Sequence, residues 1–203
     1  MLCADCRETV PWLPATACPR CTRKSREGRI CQRCDAPHLA SIRAACTFDG
    51  VIRTAIHRLK FQQARFLAPL LAQVLAMSLA RRPLEADLVI AVPLSPGRRR
   101  ERGFNQSELI ATELARLTAL PAPSTQVLER ARDTRPQVGL SAVERRRNLR
   151  GAFSCLQGNL VAGRRCALVD DVMTTGSTLE ACAEPLLAAG AERVMGLVVA
   201  REF

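Results

Sequence analysis

Tyrosine is absent from this 203-residue chain, tryptophan occurs once at Trp12, and aromatics make up 3% of residues. A stacking platform of the kind that single-strand binders use is therefore expected to be thin. Lysine occurs only as Lys24 and Lys60 and neither follows a glycine, so a P-loop with its Gly-Lys-Ser/Thr cradle is excluded. No apolar run follows a basic start, and the longest apolar segment, residues 66–80, is broken by Gln73 and Ser78. A secretory leader and a membrane span are thus not expected, and a cytosolic protein is. With apolar residues near half of the total, 48%, the chain is rich enough to bury a core, which argues against disorder.

What the chain has instead is arginine: it carries nearly all of a formal net charge of +11. The planar guanidinium matches phosphate oxygens two at a time, so phosphate-bearing partners are favoured, nucleic acid among them. Runs at Arg98, Arg99, Arg100 and Arg102 and at residues 145–147 concentrate this charge, although any one such arginine is equally well read as part of a solvated face.

Ten cysteines form the second feature, and six of them fall in Cys-x-x-Cys pairs within the first forty residues: Cys3 with Cys6, Cys18 with Cys21, and Cys31 with Cys34. Two intervening residues let a knuckle present both thiolates to one ion, and two knuckles complete a tetrahedron around zinc. Three pairs leave one over, and spacing alone does not settle which pairs share an ion. None follows a strand in a βαβ context, which disfavours a redox reading. His38 is a weak candidate as a ligand, His57 reads as part of a helix surface, and Cys46, Cys155, Cys166 and Cys182 read as small core residues.

The densest signal lies at residues 166–180. Residues 166–169 read as a buried parallel strand, Asp170 and Asp171 fall where it would end, and Thr174, Thr175, Gly176, Ser177 and Thr178 form a loop of small hydroxylated residues. Backbone N–H groups there can turn toward one anion at the start of the next helix, for which Ser177 and Glu180 have the form of a capping box. Two carboxylates side by side can accept from vicinal hydroxyls while the loop holds a phosphate. A phosphorylated pentose has both.

Around this motif the pattern alternates strand and helix. Residues 44–49 and 88–92 read as strands, 52–61, 64–82 and 105–117 as helices, and 177–188 as a helix stopped by Gly190 before a last strand at 194–200. Alternation of this kind indicates an α/β sheet. Residues 121–163, punctuated by prolines and by a basic helix-like run, resist assignment.

The run from Leu168 to Thr178 resembles the ribose-phosphate signature of type I phosphoribosyltransferases. The chain as a whole resembles the ComF/GntX family through Val92, Pro93 and Leu94, through the run Arg102 to Ser107, through residues 134–141 leading to Arg147 to Phe153, and through the paired cysteines. The resemblance implies an α/β fold with a type I phosphoribosyltransferase-like parallel sheet flanked by helices at residues 44–203, and a small zinc ribbon at residues 1–40. It implies that Asp170, Asp171 and residues 174–178 hold the ribose phosphate of phosphoribosyl pyrophosphate. Val92, Pro93, Leu94 and Arg102 then lie on the pyrophosphate side, with Mg²⁺ bridging its oxygens, and a mobile loop falls within the unassigned stretch. Family members carry four cysteine pairs, so this chain resembles one that begins just before the second: Cys18, Cys21, Cys31 and Cys34 form the implied zinc site, with Cys3 and Cys6 as added candidates.

In function the resemblance implies DNA uptake with single-stranded DNA as partner, alongside a DNA-uptake helicase or membrane channel, in the cytoplasm at the inner face of the membrane. Two other classes stay open, an active transferase and a ligand-sensing module without turnover. No pocket signature for an acceptor base is visible, and no catalytic residue is assigned.

Overall fold

The computed structural model describes residues 4–14, 16–23, 25, 29–31, 36–132 and 142–203. After a one-turn helix α1 (Ala4–Glu8), the chain enters β1 (Ser41–Thr47), α2 (Gly50–Phe61), a 3-10 turn (Arg65–Leu67) and α3 (Ala68–Arg81). It continues through β2 (Leu88–Ala91), α4 (Pro96–Arg102), α5 (Gln106–Leu117) and β3 (Pro123–Ser124). The remaining elements are β4 (Leu128–Arg130), α6 (Ala142–Leu149), β5 (Phe153–Cys155), α7 (Gly158–Val161), β6 (Arg165–Met173), α8 (Ser177–Ala188) and β7 (Arg193–Arg201).

Five strands form one sheet in the order β1-β7-β6-β2-β3, and every pair in it is parallel. Parallel sheets are covered on both faces, and the residues here divide accordingly. Val89, Ala91, Ala167, Val169, Leu197 and Val199 pack with Ile56 of α2, Leu71 and Leu75 of α3 and Ile110 and Leu114 of α5. Leu88, Ile90, Cys166, Leu168, Val194 and Val198 pack on the other face with Leu179, Cys182 and Leu186 of α8 and with Leu128 and Phe153 of the antiparallel β4–β5 pair. Neighbouring residues of each strand thus serve opposite layers, as the period of two requires. α8 can lie close because Gly196 has no side chain: a Cβ there would sit 2.8 Å from Leu179 Cδ1.

The topology also locates a crevice. From β2 the chain moves outward to β3 by way of α5 on one face, whereas from β6 it moves the other way to β7 by way of α8 on the opposite face. Helices that leave neighbouring strands for opposite faces open a gap at the carboxyl ends of those strands. β2 and β6 flank that gap.

Three local expectations are corrected. β6 does not stop before the aspartates but carries them, because β7 continues to pair with it as far as Met173 with Arg201, while β2 leaves the ladder at Ala91 with Val169. The expected helix over 64–82 is preceded by the 3-10 turn and begins at Ala68, where Pro69 in the first turn fits only a helix start. The capping box is not formed: Ser177 is already helical, and Gly176, at φ 87°, is the N-cap without a side-chain bond. Glu180 Oε2 instead accepts from the His38 N–H at 3.2 Å and lies 3.0 Å from its Nδ1, and His38 is not among the described residues whose ligand atoms gather at the cysteine cluster. In the unassigned stretch, residues 142–149 are helical, and residues 134–141 of the resemblance fall outside the described residues.

The cysteine-rich segment docks on the sheet through backbone. Ile42 N–H donates to Arg20 O at 2.6 Å, Arg43 Nη1 to Pro19 O at 2.9 Å, and Arg201 Nη1 to Cys21 O. Among the described residues no helix is long and apolar enough to cross a membrane.

Candidate functional site

A cleft of about 240 Å³ opens at the carboxyl end of β6, lined by Lys60, Asp170, residues 172–179 and Glu202. All five residues of the expected loop, Thr174, Thr175, Gly176, Ser177 and Thr178, therefore line one space together with Asp170. The loop turns at Gly176, whose positive φ of 87° strains any residue with a Cβ, so glycine is required there by the backbone. Thr175 Oγ1 closes the turn by lying 2.7 Å from Ser177 Oγ and accepting from the Ser177 N–H at 3.3 Å. The N–H groups of Thr175 and Gly176 donate to nothing among the described residues. They sit before the first turn of the twelve-residue α8, whose dipole favours an anion at this end.

Asp170 and Asp171 are adjacent in sequence but differ in surroundings. Asp170 Oδ1 accepts from Ser107 Oγ at 2.9 Å and from the Asp171 N–H at 2.9 Å, which leaves Oδ2 as its acceptor toward the cleft. Burial, and then the neighbouring Asp171 carboxylate, push the Asp170 carboxyl well above the ordinary carboxylate range. Asp171 is buried, with Oδ1 accepting from the Val172 N–H at 2.7 Å. Its Oδ2 lies 2.7 Å from Lys60 Nζ, an ion pair whose directions do not meet those of a hydrogen bond. The structure thus brings Asp170 to the loop and holds Asp171 back against a lysine.

Lys60 was missed by sequence reasoning. It belongs to α2, 110 positions before Asp170, and only the fold brings it to the cleft. The one signal that could have marked it is its rarity, since an arginine-rich chain with two lysines places one of them here.

The residues expected on the pyrophosphate side follow β2 and do not line this cleft. Val92 N–H donates to Val169 O at 2.9 Å and Val92 O accepts from Asn105 Nδ2 at 3.0 Å, so the turn that Pro93 and Leu94 continue is tied to both β6 and the start of α5. Arg102 is buried at the end of α4, donating to Gln106 Oε1 at 2.5 Å with its guanidinium 5.7 Å from the Phe61 ring centroid. Desolvation lowers its affinity for a proton, which the nearby Asp171 charge offsets in part.

In the segment beside β1 the sulfurs of Cys18, Cys21 and Cys31 all lie within 4.8 Å of one another, with Cys21 and Cys31 Sγ at 3.4 Å. A tetrahedral ion with bonds of about 2.3 Å to sulfur needs ligands about 3.8 Å apart, so this cluster could hold a metal ion. The fourth expected ligand, Cys34, and the further candidate Cys3 fall outside the described residues, and Cys6, exposed on α1, is not one of the three clustered cysteines. The core cysteines differ in kind. Burial raises the thiols of Cys46, to about 12, and Cys166, to about 11, which leaves them neutral packing groups.

A family model described as phosphoribosyl transferase domain matches residues 105–202, the half of the chain that carries α5, β6, the loop and α8. Three relatives extend the likeness. Competence protein F of Haemophilus influenzae is 38% identical over 152 residues, 72% of this chain and 66% of that protein, so the chain spans just under two thirds of its length. DNA utilization protein YhgH of Escherichia coli is 36% identical over 187 residues, which cover 88% of this chain and 81% of that protein. Competence protein ComFC of Bacillus subtilis is 26% identical over 201 residues, 93% of this chain and 79% of that one. With its parallel sheet, its transferase-type loop and these relatives, the chain belongs to the ComF family.

Proposed function

We propose that this protein binds phosphoribosyl pyrophosphate or a related ribose phosphate in the cleft at β6, and that it serves DNA uptake by handling single-stranded DNA. The observation that carries the ligand is the joint lining of one cleft by Asp170 and residues 174–178, with the N–H groups of Thr175 and Gly176 uncommitted at the start of α8. The 5-phosphate lies in the loop, where amides and helix dipole offset its charge. Asp170 accepts from a ribose hydroxyl, and Asp171 joins it once Lys60 turns to the incoming anion. Mg²⁺, when bound, neutralises pyrophosphate oxygens; the chain's part is to supply carboxylate oxygen from Asp170 beside them. Zinc fits the three-thiolate cluster, since soft sulfur donors at tetrahedral spacing are what it takes, and Cys34 is the natural fourth ligand. The uptake role follows the names of the relatives, and the charge of +11 supports the DNA partner.

Calorimetry with phosphoribosyl pyrophosphate and Mg²⁺ tests the reading. Wild type gives a saturable heat, and Asp170→Asn, which keeps the acceptor for Ser107 Oγ and the Asp171 N–H, weakens binding at least tenfold. No heat from wild type with either phosphoribosyl pyrophosphate or ribose 5-phosphate would sink the ligand assignment.

A ligand-sensing role has one observation in its favour. Arg201 donates to Cys21 O while its neighbour Glu202 lines the cleft and donates its N–H to Met173 O at 2.9 Å, so the cysteine cluster and the sugar-phosphate site share two consecutive residues. In that role metal loading alters ligand affinity without turnover.

A further inference from the structure

Phenylalanine is the chain's only plentiful aromatic, with six residues, and three of them are left largely in water: Phe203 at the last position, and, close together in sequence, Phe61, 60% exposed, and Phe66, 76%. Burial of a phenylalanine contributes about 1.5–3 kcal/mol, so a chain this poor in aromatics forgoes much by exposing them. Phe61 and Phe66 border one strip. Phe61 ends the outer stripe of α2, where Arg53, His57 and Phe61 recur at four-residue spacing while Ile52, Ala55, Ile56 and Leu59 face the core. His57 stacks obliquely on Phe61 at 4.7 Å and the Arg102 guanidinium lies behind the same ring. Phe66 follows Arg65, whose guanidinium sits 4.6 Å from the Phe104 ring centroid and within reach of Gly103 at the end of α4. The two rings therefore flank the junction of α2, the 3-10 turn and α4, and Lys60 beside Phe61 opens into the cleft.

The charge of α2 and the 3-10 turn is one-sided. From Asp49 to Glu85 no acidic residue intervenes, and Arg53, Arg58 and Arg65 form no ion pair with the described residues. Exposed apolar rings amid uncompensated guanidinium groups suit a ligand that is itself aromatic and polyanionic. An acidic protein would match the charge but leaves the exposed rings without flat partners. A duplex hides its base faces, and a single strand presents them.

We infer that Phe61 and Phe66 are stacking residues for single-stranded DNA, with Arg53, Arg58 and Arg65 on its phosphates, along a track that begins beside the sugar-phosphate cleft. A platform thin in aromatics still offers stacking where its few rings stand at the surface. The inference rests on the single-stranded DNA partner proposed above, and its test separates the two.

Binding of labelled oligothymidylate is measured by anisotropy as salt is varied, for wild type, Phe61→Ala/Phe66→Ala and Arg58→Ala/Arg65→Ala. Removal of the rings weakens binding about tenfold per ring and leaves the salt slope in place; removal of the arginines lowers the slope by roughly 1.4. Phe61→Trp keeps the affinity and its added emission is quenched by the oligonucleotide. Melting temperature and ribose-phosphate heat in each variant check that fold and cleft are intact. Wild-type affinity in the ring-less variant would overturn the stacking site while leaving the DNA partner standing, and the strip would then be a protein contact. No binding by wild type even at low salt would overturn both, independently of the sugar-phosphate calorimetry.

Discussion

The loop at residues 174–178 and the knuckle that carries Cys18, Cys21 and Cys31 both border the sheet, yet opposite forces hold them. The loop continues a strand whose residues Cys166, Ala167, Leu168 and Val169 are all fully buried, so apolar packing on both faces fixes where its amides point. The knuckle buries Ala17, Cys18 and Cys21 but rests on the sheet through a few hydrogen bonds, and its geometry converges on three sulfurs rather than on a core. One region is preorganised by the hydrophobic effect, and the other is built so that an ion on its thiolates, as proposed above, would hold it together. Arg201 joins the two, being paired with Met173 in the sheet and donating to the knuckle.

Metal removal breaks the comparison most sharply. Structural zinc contributes on the order of 10–16 kcal/mol in small zinc-stabilised units, so a chelator, or Cys18→Ser with Cys21→Ser, releases bound zinc and opens the knuckle to protease. The main thermal transition of the sheet survives. Loss of both together, followed by elemental analysis and melting, would mean that the two regions are one cooperative unit.

A smaller effect is expected at the cleft floor. Lys60→Met leaves the buried Asp171 carboxylate without its ion pair and destabilises the fold by about 3 kcal/mol, near the low end for a broken buried pair because Arg102 is close. Urea denaturation reads this directly, and an unchanged midpoint would show that the pair is not holding Asp171.

The smallest effect is a slope. The raised Asp170 carboxyl holds a proton more firmly folded than unfolded, so stability falls as pH rises from the ordinary carboxylate range through the raised value. Asp170→Asn removes that fall. Denaturation at a series of pH values checks it, and parallel slopes in the two proteins would count against the shift.

Much of this was legible in the sequence because it depends on local pattern. The strand at residues 88–91, the helix whose Asn105 cap accepts from the Ser107 N–H, and the helix ended near Gly190 all follow from periodicity and capping chemistry. So does the gathering of residues 174–178. The failures come where a distant partner outcompetes a local one. Ser177 and Glu180 read as a capping box, but His38, 142 positions away, takes Glu180, and the φ of Gly176 fits the turn without any cap. β6 runs past the aspartates because β7 is long enough to pair with it there. Lys60 reaches Asp171 only through the packing of α2, and the exposure of Phe61 and Phe66 is a property of the folded surface.

The central claim is that the amides at the start of α8 receive a sugar phosphate. Titration of isotopically labelled protein with ribose 5-phosphate, followed by the backbone amide signals of Thr175 and Gly176, tests it most directly. The account predicts saturable downfield shifts at these two amides, with residues of β3 and α7 unmoved. Shifts confined to the exposed arginine-rich surfaces, with Thr175 and Gly176 unchanged at saturation, would contradict it.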